Sequence, residues 1–169
     1  MVKNEIITAE ELRSILNYDP KTGKFTYSAK CARNNIGDEA GWKNGNGYLK
    51  ITVNQIKYYA HRLAWLYVTG NWPMLTVDHK NGVGIDNCWS NLRLASHSEN
   101  GMNKAAKKIY RNGTIRKGVY FHKQASKWAA QIAKDGKVSY LGLFGSAEDA
   151  HAAYVAAAGK LHGEFARMA

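Results

Sequence analysis

Cysteine is scarce in this chain. Cys31 and Cys88 are its two thiols, too widely spaced for a C-x-x-C pair and too few for a disulfide framework. Long apolar runs are missing too: nothing approaches the roughly 20 consecutive apolar residues that a bilayer crossing takes. The opening residues show no signal-peptide pattern. These absences predict a soluble, intracellular protein with no membrane partner. Acidic residues are also few, 13 against 24 Lys and Arg, for a net charge of +11. The excess is uneven, because residues 101–140 hold ten Lys/Arg against Asp135 alone, nine of the eleven surplus charges. A polyanion is the partner such a field attracts. With 169 residues, 45% of them hydrophobic, the chain can bury one full core or two small ones.

What is present centres on Val77–Asn100, VDHKNGVGIDNCWSNLRLASHSEN. The β-branched run Leu75-Thr76-Val77 leads into Asp78-His79. A loop with Asn81, Gly82, Gly84 and Asn87 follows, then a second apolar run, Leu92–Ala95. Ser96-His97-Ser98-Glu99 is a capping box that predicts a helix with Asn100 in its first turn. Strand, loop, strand and helix would gather Asp78, His79, Asn91 and Asn100.

Those residue types suit phosphodiester hydrolysis, which needs a base for water and a cation for the charge on phosphate and leaving oxygen. His79 titrates near neutrality and is the natural base. Asp78 and Asn100 offer hard oxygens, which suit Mg²⁺ or Mn²⁺ better than zinc. On a strand, Asp78 and His79 point to opposite faces, so one site can use both only where the strand ends or kinks.

The stretch resembles the ββα-metal motif of HNH endonucleases (the His-Me finger fold), especially the homing-type branch of phage genomes and introns. Val77-Asp78-His79 resembles the first signature element, Asn91 in Ser90-Asn91-Leu92-Arg93 the central Asn, and Asn100 the last element. The run Ala60-His61-Arg62-Leu63-Ala64-Trp65 is similar to that branch as well. The resemblance implies that His79 is the general base, that Asp78 and Asn100 hold one divalent ion, Mg²⁺ or Mn²⁺, and that Asn91 braces the loop and orients His79. Asn rather than His at the last position fits the magnesium-using branch.

Earlier in the chain, Thr8-Ala9-Glu10-Glu11 is another capping box, with Leu12, Ile15 and Leu16 on one helical face. Asp19–Gly23 reads as a turn, Lys24–Ser28 as a strand, and residues 29–46 as loop with Lys30, Arg33 and Lys43 as phosphate contacts. Gly47–Val53 and Ile56–Ala60 read as a hairpin turning at Asn54-Gln55. Leu49, Ile51 and Val53 share its apolar face, and Tyr48, Lys50 and Thr52 a solvated one. A helix over His61–Thr69 follows, and His61 at its start is expected to pack or cap. The helix after Ser96 is expected to reach about Lys108, with Asn103, Lys104 and Lys107 on the face of Asn100. His97 is left out of the ligand set, because Asp78 and Asn100 already account for the motif.

Residues 109–116 read as a basic linker that includes Arg111 and Arg116. Beyond it, Gly118–His122, Lys127–Ala133 and Val138–Phe144 read as three strands, with Asp135-Gly136 a strong hairpin turn. Ser146 caps an alanine-rich helix whose stripe is Ala150, Ala153, Tyr154, Ala157 and Leu161. The segments Lys117–Tyr120, Lys127–Ile132, Tyr140–Phe144 and Ala147–Tyr154 resemble the DNA-binding domain of plant ethylene-response factors. That resemblance implies a sheet reading the DNA major groove through Lys117, Tyr120, His122, Lys127, Trp128, Gln131, Lys134 and Tyr140. Several Arg positions of that family carry Lys, Tyr or His here, so base preference does not carry over. Trp128 is equally open to a core role.

The expected protein is α+β: a nuclease domain over 1–108 with its ββα-metal motif at 75–108, a linker over 109–116, and a three-stranded antiparallel sheet packed on one helix over 117–169. It is expected to cut double-stranded DNA with one metal ion per site and no small-molecule cofactor, in the cytoplasm of a bacterial host if phage-encoded. A non-catalytic DNA regulator on the same scaffold and an RNase are the rival readings.

Overall fold

The computed structural model describes residues 7–30, 34–103 and 116–166. It is α+β, with small antiparallel sheets and four helices among the described residues. By internal contacts the chain divides into two compact units, residues 1–95 and 96–169.

In the first unit, helix α1 (Ala9–Ile15) starts where the sequence predicts. The Thr8 side chain accepts from the Glu11 amide at 3.2 Å, and the Glu11 carboxylate accepts from the Thr8 amide at 2.8 Å. The helix is shorter than its apolar pattern suggests. Leu16 turns extended and begins strand β1 (Leu16–Tyr18), which pairs with β2 (Phe25–Tyr27). Pairing Leu16 with Tyr27 buries it fully, which a third helical turn would not do.

Strands β3 (Trp42–Lys43), β4 (Leu49–Val53) and β5 (Ile56–Tyr59) form a second sheet in that order. Residues 42–43 were expected in a loop; two residues carry too little alternation to show in sequence. The β4–β5 turn uses Asn54 and Gln55 at φ +48° and +67°, the left-handed pair that matches strand twist in a two-residue hairpin. Ile51 and Val53 point inward as predicted. Helix α2 (Ala60–Thr69) buries Leu63, Ala64 and Leu66, and Gly70 ends it in the left-handed conformation. Strands β6 (Thr76–His79) and β7 (Leu92–Ala95) make a two-stranded ribbon with Asp78 opposite Arg93 and His79 opposite Leu92. Leu12, Leu16, Phe25, Ile51, Leu63 and Leu66 are fully enclosed in one core that also reaches Val77 and Leu92. Each contributes about 1.5–3 kcal/mol by leaving water.

The second unit opens with α3 (His97–Met102), capped by Ser96 and Glu99 as expected. Strands β8 (Val119–His122), β9 (Lys127–Lys134) and β10 (Lys137–Phe144) form a sheet in the order β10-β9-β8. Asp135 and Gly136, at φ +50° and +77°, make the predicted hairpin turn. Helix α4 (Ala147–His162) packs on the sheet through Ala147, Ala150, Tyr154, Ala158 and His162. The predicted stripe drifts off this line. Leu161 is exposed, because four-residue steps carry the buried face to His162 instead.

Gly23 adopts φ +72°, and a Cβ there would lie 2.4 Å from backbone atoms of Asn87 and Cys88. Gly45 has open space around it. Gly23→Ala is therefore expected to destabilise the protein by roughly 2 kcal/mol or more through strain plus clash, while Gly45→Ala stays near neutral. Urea unfolding of the two variants checks this, and equal stability would contradict the close packing.

Candidate active site

The predicted residues His79, Asp78 and Asn91 all lie at the end of the β6–β7 ribbon, each with its own partners. β6 stays in register to its last residue, and the chain then turns, with the Gly82 amide donating to the His79 carbonyl at 2.8 Å. Strand alternation sends Asp78 and His79 to opposite sides of the ribbon. The strand ends at His79.

His79 is 4% exposed. Its Nε2 lies 3.1 Å from Oδ1 of Asn87, and Asn87 Nδ2 donates to the Ile85 carbonyl at 3.1 Å. That second bond fixes which end of the amide faces the imidazole. An oxygen faces Nε2, so Nε2 carries the proton and Nδ1 is the basic nitrogen. Burial pushes the His79 pKa down, while the Asn87 hydrogen bond and the charges of Asp78 and Asp86 partly oppose it. The ring is thus held neutral, in one tautomer, with one lone pair.

The orienting amide is Asn87 rather than Asn91. Asn91 does brace the loop: its Nδ2 donates to Asp86 O at 2.7 Å and Asn81 Oδ1 at 3.1 Å, and its Oδ1 accepts from the Asn81 amide. Asn87 is 1% exposed and also takes the Tyr18 hydroxyl on its carbonyl at 2.7 Å. Nothing in the sequence singles it out from the loop's other Asn residues, since its role comes from contacts with β1 and β6.

Asp78 is buried, and its Oδ2 accepts from both Nε and Nη2 of Arg93 at 3.0 Å. Sequence reasoning passed over Arg93. Its signal is a cation inside the apolar run Leu92-Arg93-Leu94, directly across the ribbon from an anion. Removing either partner alone strands a buried charge, which costs about 3–5 kcal/mol. Among the described residues no three His, Cys, Asp or Glu side chains are grouped to hold a metal. The donor on the ribbon is the Asp78 carboxylate, a hard oxygen that fits an ion keeping several waters, such as Mg²⁺. Such an ion would share Asp78 with Arg93. Asn100 lies half-buried on α3 in the second unit, and His97 on the same helix is exposed.

The predicted DNA contacts divide. Strand pairing puts Tyr120, His122, Lys127, Gln131 and Tyr140 on the sheet face away from α4. Trp128 lies on the other face, against Val119, Ala130 and Ala150, so its core role wins. His122 also accepts the Ala125 amide on Nδ1 at 3.2 Å, bracing the turn. Lys134 donates to the Leu161 carbonyl at 2.8 Å, Lys117 to the Met102 carbonyl, and Arg116 pairs with Glu148 at 2.7 Å. The first two sit on helix C-termini, where free carbonyls attract cations. Asn103 is buried at the end of α3 instead of lining its surface. Lys104, Lys107, Arg111, Arg33, the predicted helix extension to Lys108 and most of the linker lie outside the described residues.

His61 also sits here, as the second residue of α2. Burial, with smaller effects from His79 and Arg62, lowers its pKa from the usual 6.5 to about 3. Between those values the unfolded chain takes up a proton that the folded unit refuses. The stability this gives is complete above about 6.5 and is lost as pH falls toward 3; the lowered His79 pKa acts in the same direction. The protein is therefore expected to lose stability between about pH 7 and pH 5, before most carboxylates titrate. His61→Phe should make that dependence shallower. Urea titrations of both proteins across this range check the expectation, and identical pH profiles would contradict it.

Comparison with known proteins gives one family match: residues 58–102 fit the model for HNH endonucleases. No curated protein and no solved structure matches the chain. The matched segment runs from β5 through α2, β6 and β7 to the end of α3, so it contains His79, Asp78, Arg93, Asn87, Asn91 and Asn100. No helix among the described residues is long and apolar enough to cross a membrane. The match of residues 58–102 to the HNH endonuclease model supports a nuclease chemistry, hydrolysis of phosphodiester bonds in nucleic acid.

Proposed function

We propose that this chain is a divalent-metal-dependent DNA endonuclease of the homing type. The observation that carries this reading is the neutral, Asn87-tethered His79 at the strand end inside the HNH match. His79 Nδ1 takes a proton from water, and that water attacks phosphorus opposite the departing 3′ oxygen. Asn87 acts through His79 by holding its tautomer, and Asn91 holds the loop that carries Asn87. Arg93 keeps the Asp78 carboxylate in place. Asp78 would hold Mg²⁺ or Mn²⁺, for which the HNH resemblance implies Asn100 as the second ligand; when bound, the ion neutralises charge on the phosphate and the leaving oxygen. Cleavage leaves 5′-phosphate and 3′-hydroxyl ends.

The second unit supplies register on DNA. Its three-stranded sheet on one helix agrees with an ethylene-response-factor-type domain, and its open face carries Tyr120, His122, Lys127, Gln131 and Tyr140. Tyr140 is 56% exposed, a large ring at the surface beside polar neighbours, as a groove-reading face requires.

On supercoiled plasmid with Mg²⁺, His79→Ala is expected to cut some 10²–10⁴-fold more slowly with DNA affinity unchanged, and EDTA should stop the wild type. Full activity in EDTA, a requirement for Zn²⁺, or cutting of RNA alone would overturn the reading. In DNA binding, Lys127→Ala should lower the slope of log affinity against log salt by about 0.9. Lys134→Ala should leave that slope unchanged and reduce thermal stability, because its ammonium is spent on α4. Equal slope changes from the two variants would contradict this division.

A further inference from the structure

Beside His79 stands a second imidazole for which the mechanism above has no use. His61 is 8% exposed. Its ring meets the His79 ring edge-on, with centroids 5.0 Å apart and planes at 84°. It stacks on Tyr59 at 5.3 Å and 21°, while Tyr48 touches both histidines at 5.7 and 5.9 Å. Four rings thus converge from the hairpin, the start of α2 and the end of β6.

Nδ1 of His61 is wholly enclosed and has no hydrogen-bond partner among the described residues. Packing alone does not call for this residue. A phenyl ring would fill the same aromatic cluster without burying an unsatisfied nitrogen, which costs free energy wherever it occurs. An enclosed N–H without a partner is rarer than an enclosed lone pair, so the ring proton belongs on Nε2, and Nε2 is the nitrogen left to meet a ligand.

We propose that His61 is a second catalytic residue, whose Nε2–H donates to a non-bridging oxygen of the phosphodiester attacked by the water on His79. The inference rests on the nuclease reading and adds a substrate contact to it. The edge-on geometry brings the two rings close enough for one phosphate and its attacking water to touch both. The strongly lowered pKa of His61 keeps it uncharged at neutral pH, so it serves as a donor and does not compete with His79 for the proton of water. Its stacking on Tyr59 fixes the direction in which Nε2 points.

The test uses the full chain, supercoiled plasmid and Mg²⁺ under single-turnover conditions, with thermal unfolding and DNA affinity measured in parallel. His61→Phe preserves the ring stack and is expected to melt no lower than wild type, to bind DNA equally well, and to cut about 10- to 100-fold more slowly, the worth of one hydrogen bond to a charged oxygen. His61→Gln keeps an N–H donor and should recover part of that loss. Wild-type cutting by His61→Phe, or a Gln variant as slow as the Phe variant, would overturn the inference while His79→Ala still upholds the nuclease reading. A wild-type protein that cuts no nucleic acid would remove both.

Discussion

The hydrogen bond from His79 to Asn87 is the constraint on which the site depends. A buried imidazole is useful as a base only if one known nitrogen holds the lone pair, and here a neutral amide makes that choice. Asn87 can make it because both side-chain polar atoms and its carbonyl are directed: Oδ1 to His79, Nδ2 to Ile85, and the carbonyl to Tyr18. The loop that carries it is cross-linked by Asn81, Asp86 and Asn91. It is also pressed against the turn at Gly23, where no side chain fits. The β1–β2 hairpin, remote in sequence, therefore serves as the wall against which the loop carrying Asn87 is held.

Charge is kept apart from that imidazole by the pleat of one strand. Asp78 leaves β6 on one side and meets Arg93, while His79 leaves on the other and meets an amide and two aromatic neighbours. A carboxylate bonded directly to His79 would raise its pKa. With Arg93 holding Asp78, the ring feels that charge only as a weaker opposing influence. In the second unit the same economy of charge shows differently. Lys117 and Lys134 close helix ends, which leaves a sheet face of tyrosines, Gln131, His122 and Lys127.

Elements with local chemistry were legible in sequence. Both capping boxes, the Asp135-Gly136 turn, the α2 boundary and β7 stand where residue types alone place them, because each is decided within four or five residues. Elements decided by distant contact were not. Leu16 reads as helical by period and becomes a strand because Tyr27 pairs with it. The HNH resemblance pointed to His79, Asp78 and Asn91 and gave the orienting role to Asn91, and only the folded loop shows that the amide bonded to His79 is Asn87. Arg93 was hidden because a strand cation reads as solvent-facing until its partner across the ribbon is known. Trp128 was ambiguous since strand alternation has two phases, and the pairing with Phe121 chose the inner one.

The central claim is that His79 is a neutral imidazole protonated on Nε2, with Nδ1 as its basic nitrogen. Side-chain ¹⁵N shifts of His79 in the full protein at neutral pH test it most directly. The account predicts one protonated nitrogen, Nε2, coupled to a slowly exchanging proton, and a loss of that single tautomer in Asn87→Ala. A proton found on Nδ1, or an imidazolium with both nitrogens protonated at neutral pH, would contradict it.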